Sequence, residues 1–159
     1  AALAERERLR ARAALSMAWS DPDEGEVPVP RAAELCRTLR KAGFGEITLC
    51  DTYGAASPRN VARLLKAIEG DFPPGTAGLH FHDTFGLASA NTLAGLLRGA
   101  SRFDASVNGL GGCPFAPGAR GNMDTAHLLR LLHGLGVATA ARLEDVERAA
   151  RDCSLLLAG

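Results

Sequence analysis

The sequence predicts an α/β chain built on parallel strands, and three observations carry that prediction. Short apolar runs alternate with longer segments whose apolar residues recur every 3.6 positions. Each such pair occupies roughly 25 to 35 residues, the scale of a β/α unit. The units follow one another without interruption, which implies parallel strands joined by right-handed crossovers. The same elements suit a flavodoxin-like doubly wound sheet or half of an eight-stranded barrel, which needs about 250 residues, and periodicity does not choose between them.

The elements are expected in this order. Ala1 to Ala13 reads as a helix with Leu3, Leu9 and Ala13 on one face. An apolar stretch, Leu15 to Trp19, leads into a polar loop from Ser20 to Val29. Pro30 suits the first turn of a helix whose apolar face is Leu35, Cys36, Leu39 and Ala42, and Gly43 stops it. Ile47 to Cys50 is a strand, and Ser57-Pro58 opens the next helix as an N-cap followed by proline at the first helical position. Val61, Leu64, Leu65 and Ile68 carry that helix to Gly70. Ala77 to His82 is a strand, followed by a helix through Leu93, Leu96 and Leu97 that ends at Gly99. Asp104 to Val107 is a short strand, and a glycine-rich loop runs from Asn108 to Asn122. Leu128 to Leu135 form an apolar helix. A last helix spans Leu143 to Leu157, with Val146, Ala150, Cys153 and Leu157 on one side.

Composition narrows the function. Among 159 residues, 18 Lys and Arg balance 18 Asp and Glu, so no basic excess exists to neutralise nucleic-acid phosphates or an anionic membrane. With 47% apolar and 23% charged residues the chain is expected to be globular, as one domain over residues 1–159. Runs such as Leu155 to Ala158 fall far short of the roughly 18 apolar residues a membrane span requires. The first residues carry no secretory signal, and Cys36, Cys50, Cys113 and Cys153 form no CxxC pair, so a reduced, cytoplasmic setting is expected. Ala1 is not a methionine and the chain opens within a helical pattern, which predicts a piece of something larger.

Four groups of residues carry chemistry. In Leu79-His80-Phe81-His82-Asp83, strand alternation projects both imidazoles to one face, where they either chelate a divalent ion or fill a polar crevice. Ser106 to Phe115 places Cys113 on a glycine-permitted loop, as an accessible thiol or an incidental one. Asn122 offers a ligand oxygen or, by the commoner pattern, caps the helix beginning near Asp124. Asp51 stands at the C-terminal tip of a strand, where α/β folds bind ligands, or serves as a turn residue. All four groups fall just after strands, on one side of the sheet.

The residues His80 to Gly86, Asn91-Thr92-Leu93, Ser106 to Phe115 and Gly121-Asn122 together resemble the 3-hydroxy-3-methylglutaryl-CoA lyase family. Ser16 to Gly25 and Asp51-Thr52-Tyr53-Gly54 fall in the expected order upstream, and Gly109 to Pro114 is the discriminating run. The resemblance implies a (β/α)8 TIM-barrel, of which this chain covers about the last four β/α units plus a C-terminal helix. It implies a divalent metal, Mg2+ or Mn2+, with His80, His82 and Asn122 as ligands. Cys113 would be the catalytic thiol, His80 a proton-transfer partner and Asp51 a carboxylate near the substrate. The family's remaining Asp ligand, its neighbouring Arg and a catalytic Glu belong to strands this chain does not include. Two positions depart from the family pattern: Asn108 replaces a small residue, and Ala126 an acidic one.

The implied reaction is a retro-Claisen cleavage of the acyl-CoA to acetyl-CoA and acetoacetate, with the isolated chain expected to be inactive. Rival readings are a Claisen-condensing enzyme of the isopropylmalate or homocitrate synthase type and a catalytically silent truncated half-barrel. A half-barrel exposes two open strand edges and is expected to present an apolar inner face. A homodimer or the missing N-terminal half of the barrel is therefore the expected partner.

Overall fold

The computed structural model describes residues 2–112, 118 and 120–158. Their elements are α1 (Ala2–Arg6), β1 (Arg12–Leu15), β2 (Ser20–Asp21), β3 (Gly25–Glu26), α2 (Val29–Lys41), β4 (Glu46–Asp51) and α3 (Pro58–Ile68). They continue with β5 (Ala77–Phe81), α4 (Ala88–Leu96), β6 (Arg102–Asp104), a 3-10 turn (Val107–Gly109), α5 (Thr125–Gly134) and α6 (Leu143–Ala158). The main sheet has the order β1-β4-β5-β6, and every neighbouring pair is parallel. Consecutive strands of this sheet are thus adjacent, with a helical crossover between each pair. β2 and β3 form a small antiparallel hairpin beside it.

Alternation gives the sheet two unlike faces. Ile47, Leu49, Leu79 and Phe81 are at most 2% exposed and meet Cys36, Val61, Leu64 and Ile68 from the helices. Trp19 packs on Phe81 with ring centroids 5.7 Å apart and donates from Nε1 to the Asn60 carbonyl. α4 comes close because Gly95 has no side chain: a Cβ there would lie 2.3 Å from Leu79 Cδ1. The helix starts follow local chemistry. Ser57 accepts from the Asn60 N–H with Pro58 at the first helical position, and Asp124 accepts from the His127 N–H.

Three expectations need correction. The first helix is much shorter than Ala1 to Ala13; Arg8 takes a left-handed φ of 54°, and Arg12 and Ala13 are already strand, paired with Glu46 and Ile47. The last strand is Arg102–Asp104, earlier than expected, because Arg102 is held by Glu46 and by the Thr76 carbonyl. Beyond it the chain bridges Ser106 to Asp124. The inner face is also not apolar: Arg12, Thr48, Cys50, His80 and Asp104 line it, with an Arg12–Asp104 ion pair at 3.8 Å. Leu155, Leu156 and Leu157 on α6 are exposed at 70% or more. Among the described residues no helix is long and apolar enough to cross a membrane.

Candidate metal and catalytic site

The site is built where β5 ends. His80 lies within the strand and His82 just past it, and their rings share the inner side with centroids 5.2 Å apart. Two backbone bonds lace this end to the segment 121–123 and make His82 and Asn122 bridge partners. Met123 N–H donates to the Phe81 carbonyl and Asp83 N–H to that of Gly121. Asp83 also accepts from the Ala88 N–H at 3.1 Å, so the turn after the histidines is fixed to the start of α4.

Both imidazoles are held below the usual histidine range. Burial is the main cause for each; at His80 the Asp104 carboxylate opposes it, and at His82 the His80 charge adds to it. A smaller upward pull on His82 comes from the Asn122 amide. Two neutral imidazoles keep lone pairs available to a cation. His82 Nδ1 and Asn122 Oδ1 are buried with no hydrogen-bond partner among the described residues. Buried polar atoms left unmet are rare and costly. Two of them on bridged residues, beside a second imidazole, suit a divalent ion taking nitrogen and oxygen donors. Among the described residues no three His, Cys, Asp or Glu side chains converge; the donors that come together here are two imidazoles and one amide oxygen.

The structure brings His80, His82 and Asn122 together and sets Asp51 on the other face of the sheet. Asn122 is not the helix cap, because Asp124 fills that role and leaves the Asn122 amide to the site. Asp51 shares a register position with Phe81, on the helix side of the sheet and opposite the histidines. It is 0% exposed, and its carboxylate accepts from the N–H groups of Gly54 and Ala56 and from the Ser20 hydroxyl. Burial pushes its pKa up to about 6 against those hydrogen bonds. Through these bonds Asp51 ties the loop after β4 to the end of its strand. Cys113 lies outside the described residues.

Sequence reasoning missed Asp104 as a neighbour of His80. The expected strand began at Asp104 instead of ending there, so the alternation that aims it inward was unreadable. A cavity of about 390 Å³ lies over the inner face between Arg12, Ser16, Thr48, Cys50, His80 and Asp104. A second, of about 620 Å³, opens beside Asn122 between Asp83, Arg120, His127 and the glycine run. The first cavity thus reaches His80 and the second Asn122.

Residues 4–153 match the HMGL-like family model. A hydroxymethylglutaryl-CoA lyase of Pseudomonas mevalonii is 44% identical over 138 residues, 87% of this chain and 46% of that protein. The crystal structure of the Bacillus subtilis HMG-CoA lyase superposes with a TM-score of 0.94 at 38% identity, covering 99% of this chain and 53% of that one. An HMG-CoA lyase from Acinetobacter baumannii, in complex with coenzyme A and 3-methylmalate, superposes with a TM-score of 0.89 at 35% identity. It covers 96% of this chain and 50% of its own. The chain thus spans about half the length of the relatives it matches, and its parallel sheet and helices have the TIM-barrel fold of these lyases.

Proposed function

The chain belongs to the HMGL-like family, and from that premise we propose that it forms the metal-binding half of a 3-hydroxy-3-methylglutaryl-CoA lyase. In this reading β1, β4, β5 and β6 are the last four strands of an eight-stranded barrel, and residues 1–159 form one partial domain. The observation that carries it is the pair of unmet buried polar atoms, His82 Nδ1 and Asn122 Oδ1, beside His80 at the C-terminal end of a parallel sheet. The complex of the Acinetobacter relative with coenzyme A supports an acyl-CoA substrate. The setting is the cytoplasm.

His80, His82 and Asn122 would hold a Mg2+ or Mn2+ ion, which supplies the positive charge that lowers the pKa of the substrate's tertiary hydroxyl. The protein's own residues do the rest. Burial keeps both imidazoles neutral, and the Asp104 carboxylate opposes that effect at His80. In the cleavage a base takes the hydroxyl proton, and the oxygen forms the new ketone of acetoacetate. The C–C electron pair leaves as the enolate of acetyl-CoA, and a proton is returned to that carbon. Cys113, by its place in the glycine run, is the donor of that proton, with His80 as the transfer partner.

Two measurements test this reading. Mn2+ titration of the chain should give binding that His82→Ala weakens at least tenfold. The full product of its reading frame should release acetoacetate from 3-hydroxy-3-methylglutaryl-CoA only with divalent metal present. Wild-type Mn2+ affinity in His82→Ala, or turnover that survives chelation, would sink it.

A further inference from the structure

Asn122 is held by one end of its amide. Nδ2 donates to the Leu110 carbonyl at 2.8 Å and to the Gly111 carbonyl at 3.2 Å, and the Asn122 backbone N–H donates to Gly111 as well. With both side-chain hydrogens committed, Oδ1 must face away from the loop, and it lies buried and unmet on the residue bridged to His82. Turning the amide over would set its oxygen against two carbonyl oxygens, which the donor inventory of asparagine forbids at no gain. The loop carbonyls therefore decide which end of Asn122 meets the site.

This arrangement depends on two glycines and on Asn108. Gly111 has φ +101°, and a Cβ there would lie 2.5 Å from Asn122 Nδ2. A Cβ on Gly121 would lie 2.0 Å from the Gly111 carbonyl oxygen. At the start of the loop, Asn108 takes the left-handed conformation with φ 57°, and its Nδ2 donates to the Ala150 carbonyl at 2.8 Å and to Ser154 Oγ at 3.1 Å. Both acceptors are on α6. A continuous path of hydrogen bonds and backbone thus runs from α6 through Asn108 and Leu110–Gly111 to Asn122.

We propose that the Leu110–Gly111 backbone is the positioning element of the His80–His82–Asn122 cation site, and that Asn108 fastens that element to α6. The inference rests on the assignment of those three residues as metal ligands. It gives the glycine run a second task beside presenting a thiol: aiming a ligand oxygen. It also gives α6 a part in metal affinity, although no residue of α6 is assigned to the site. Groups that orient a metal ligand typically matter by 10- to 100-fold in affinity.

The test is Mn2+ binding by the full chain, read from the electron paramagnetic resonance of free Mn2+, with hydrogen exchange at Asn122 N–H as a metal-free readout. Gly111→Ala is expected to weaken Mn2+ binding at least tenfold. Asn108→Gly keeps the left-handed backbone and removes only the bonds to α6. It should weaken binding about threefold to tenfold and speed exchange at Asn122 N–H, with the metal-free melting temperature nearly unchanged. If both variants bind Mn2+ as the wild type does while His82→Ala does not, the positioning role is overturned and the ligand assignment stands. If His82→Ala binds like the wild type, or the wild type binds no Mn2+, the ligand assignment falls and this inference with it. Should Gly111→Ala fail to fold, Asn108→Gly decides alone.

Discussion

Replacing Asp51 by asparagine separates what its charge costs from what its hydrogen bonds contribute. The carboxylate is fully buried and accepts from Gly54 N–H and Ala56 N–H at 3.1 Å each. Burial nonetheless raises its pKa from 3.8 to about 6. Because the folded value lies above the unfolded one, the native state binds more protons between those two pH values. Stability is therefore fully present below about pH 4 and is lost as pH rises through 6. The full loss corresponds to about 3 kcal/mol, of which about 2 falls between pH 4 and 7. Asp51→Asn has no such titration, but its amide must set an NH2 group against one backbone donor, at a cost of about 1–3 kcal/mol. Urea unfolding of both proteins at pH 4, 5, 6 and 7 measures the gap between them, in which other titrating groups cancel. The gap should move in the variant's favour by about 2 kcal/mol as pH rises. A gap that stays constant, or moves the other way, would refute the burial account of Asp51.

Three further outcomes are expected. Asp104→Asn should lower the His80 pKa, since it removes the charge that raises it and frees the Arg12 guanidinium 3.8 Å from that carboxylate; NMR titration of the ring would show a rise if the reading were wrong. Gly95→Ala should destabilise the fold by about 1–3 kcal/mol, because its Cβ would meet Leu79 Cδ1 at 2.3 Å in a filled interface; an unchanged urea midpoint would mean that α4 can retreat freely. Cys113→Ala should lower acetoacetate release by orders of magnitude in the full reading-frame product and leave Mn2+ affinity intact. Loss of Mn2+ binding in that variant would make the thiol a ligand instead of a proton donor.

The sequence showed most of what is local. The helix starting at Pro58, the strand through His80 and the helix after Asp124 each have a short-range cause: a capping side chain, a two-residue alternation, an apolar period. The histidine pair could be read from alternation alone. Asn122 could not, because two polar residues two positions apart compete for one cap and only the bridge to His82 decides that Asp124 takes it. Asp51 stayed open between two readings for a related reason. The tip of a strand can face either layer, and the parity that turns it toward the helices depends on register with β5. The truncated first helix reflects tertiary pairing: an alanine- and arginine-rich segment suits a helix until β4 offers Arg12–Leu15 a strand partner.

The polarity of the inner wall bears on how the sheet is completed. An apolar inner face would favour two copies meeting face to face, but this one carries Arg12, Asp104, Thr48 and His80, with the Glu46–Arg102 pair on the same side. Burying those charges against a second copy would require each to find a new partner in a low-dielectric contact. Among the described residues the outer edges of β1 and β6, by contrast, have no strand partner. What closes the sheet should therefore come in as strands at both edges and leave the polar wall inside. Four more parallel strands would do this, which agrees with relatives about twice as long as the matched region. In that arrangement Arg10, Glu46 and Arg102 knit the end where the strands start, and His80, His82 and Asn122 stand at the other, so that stability and chemistry occupy opposite ends of one barrel.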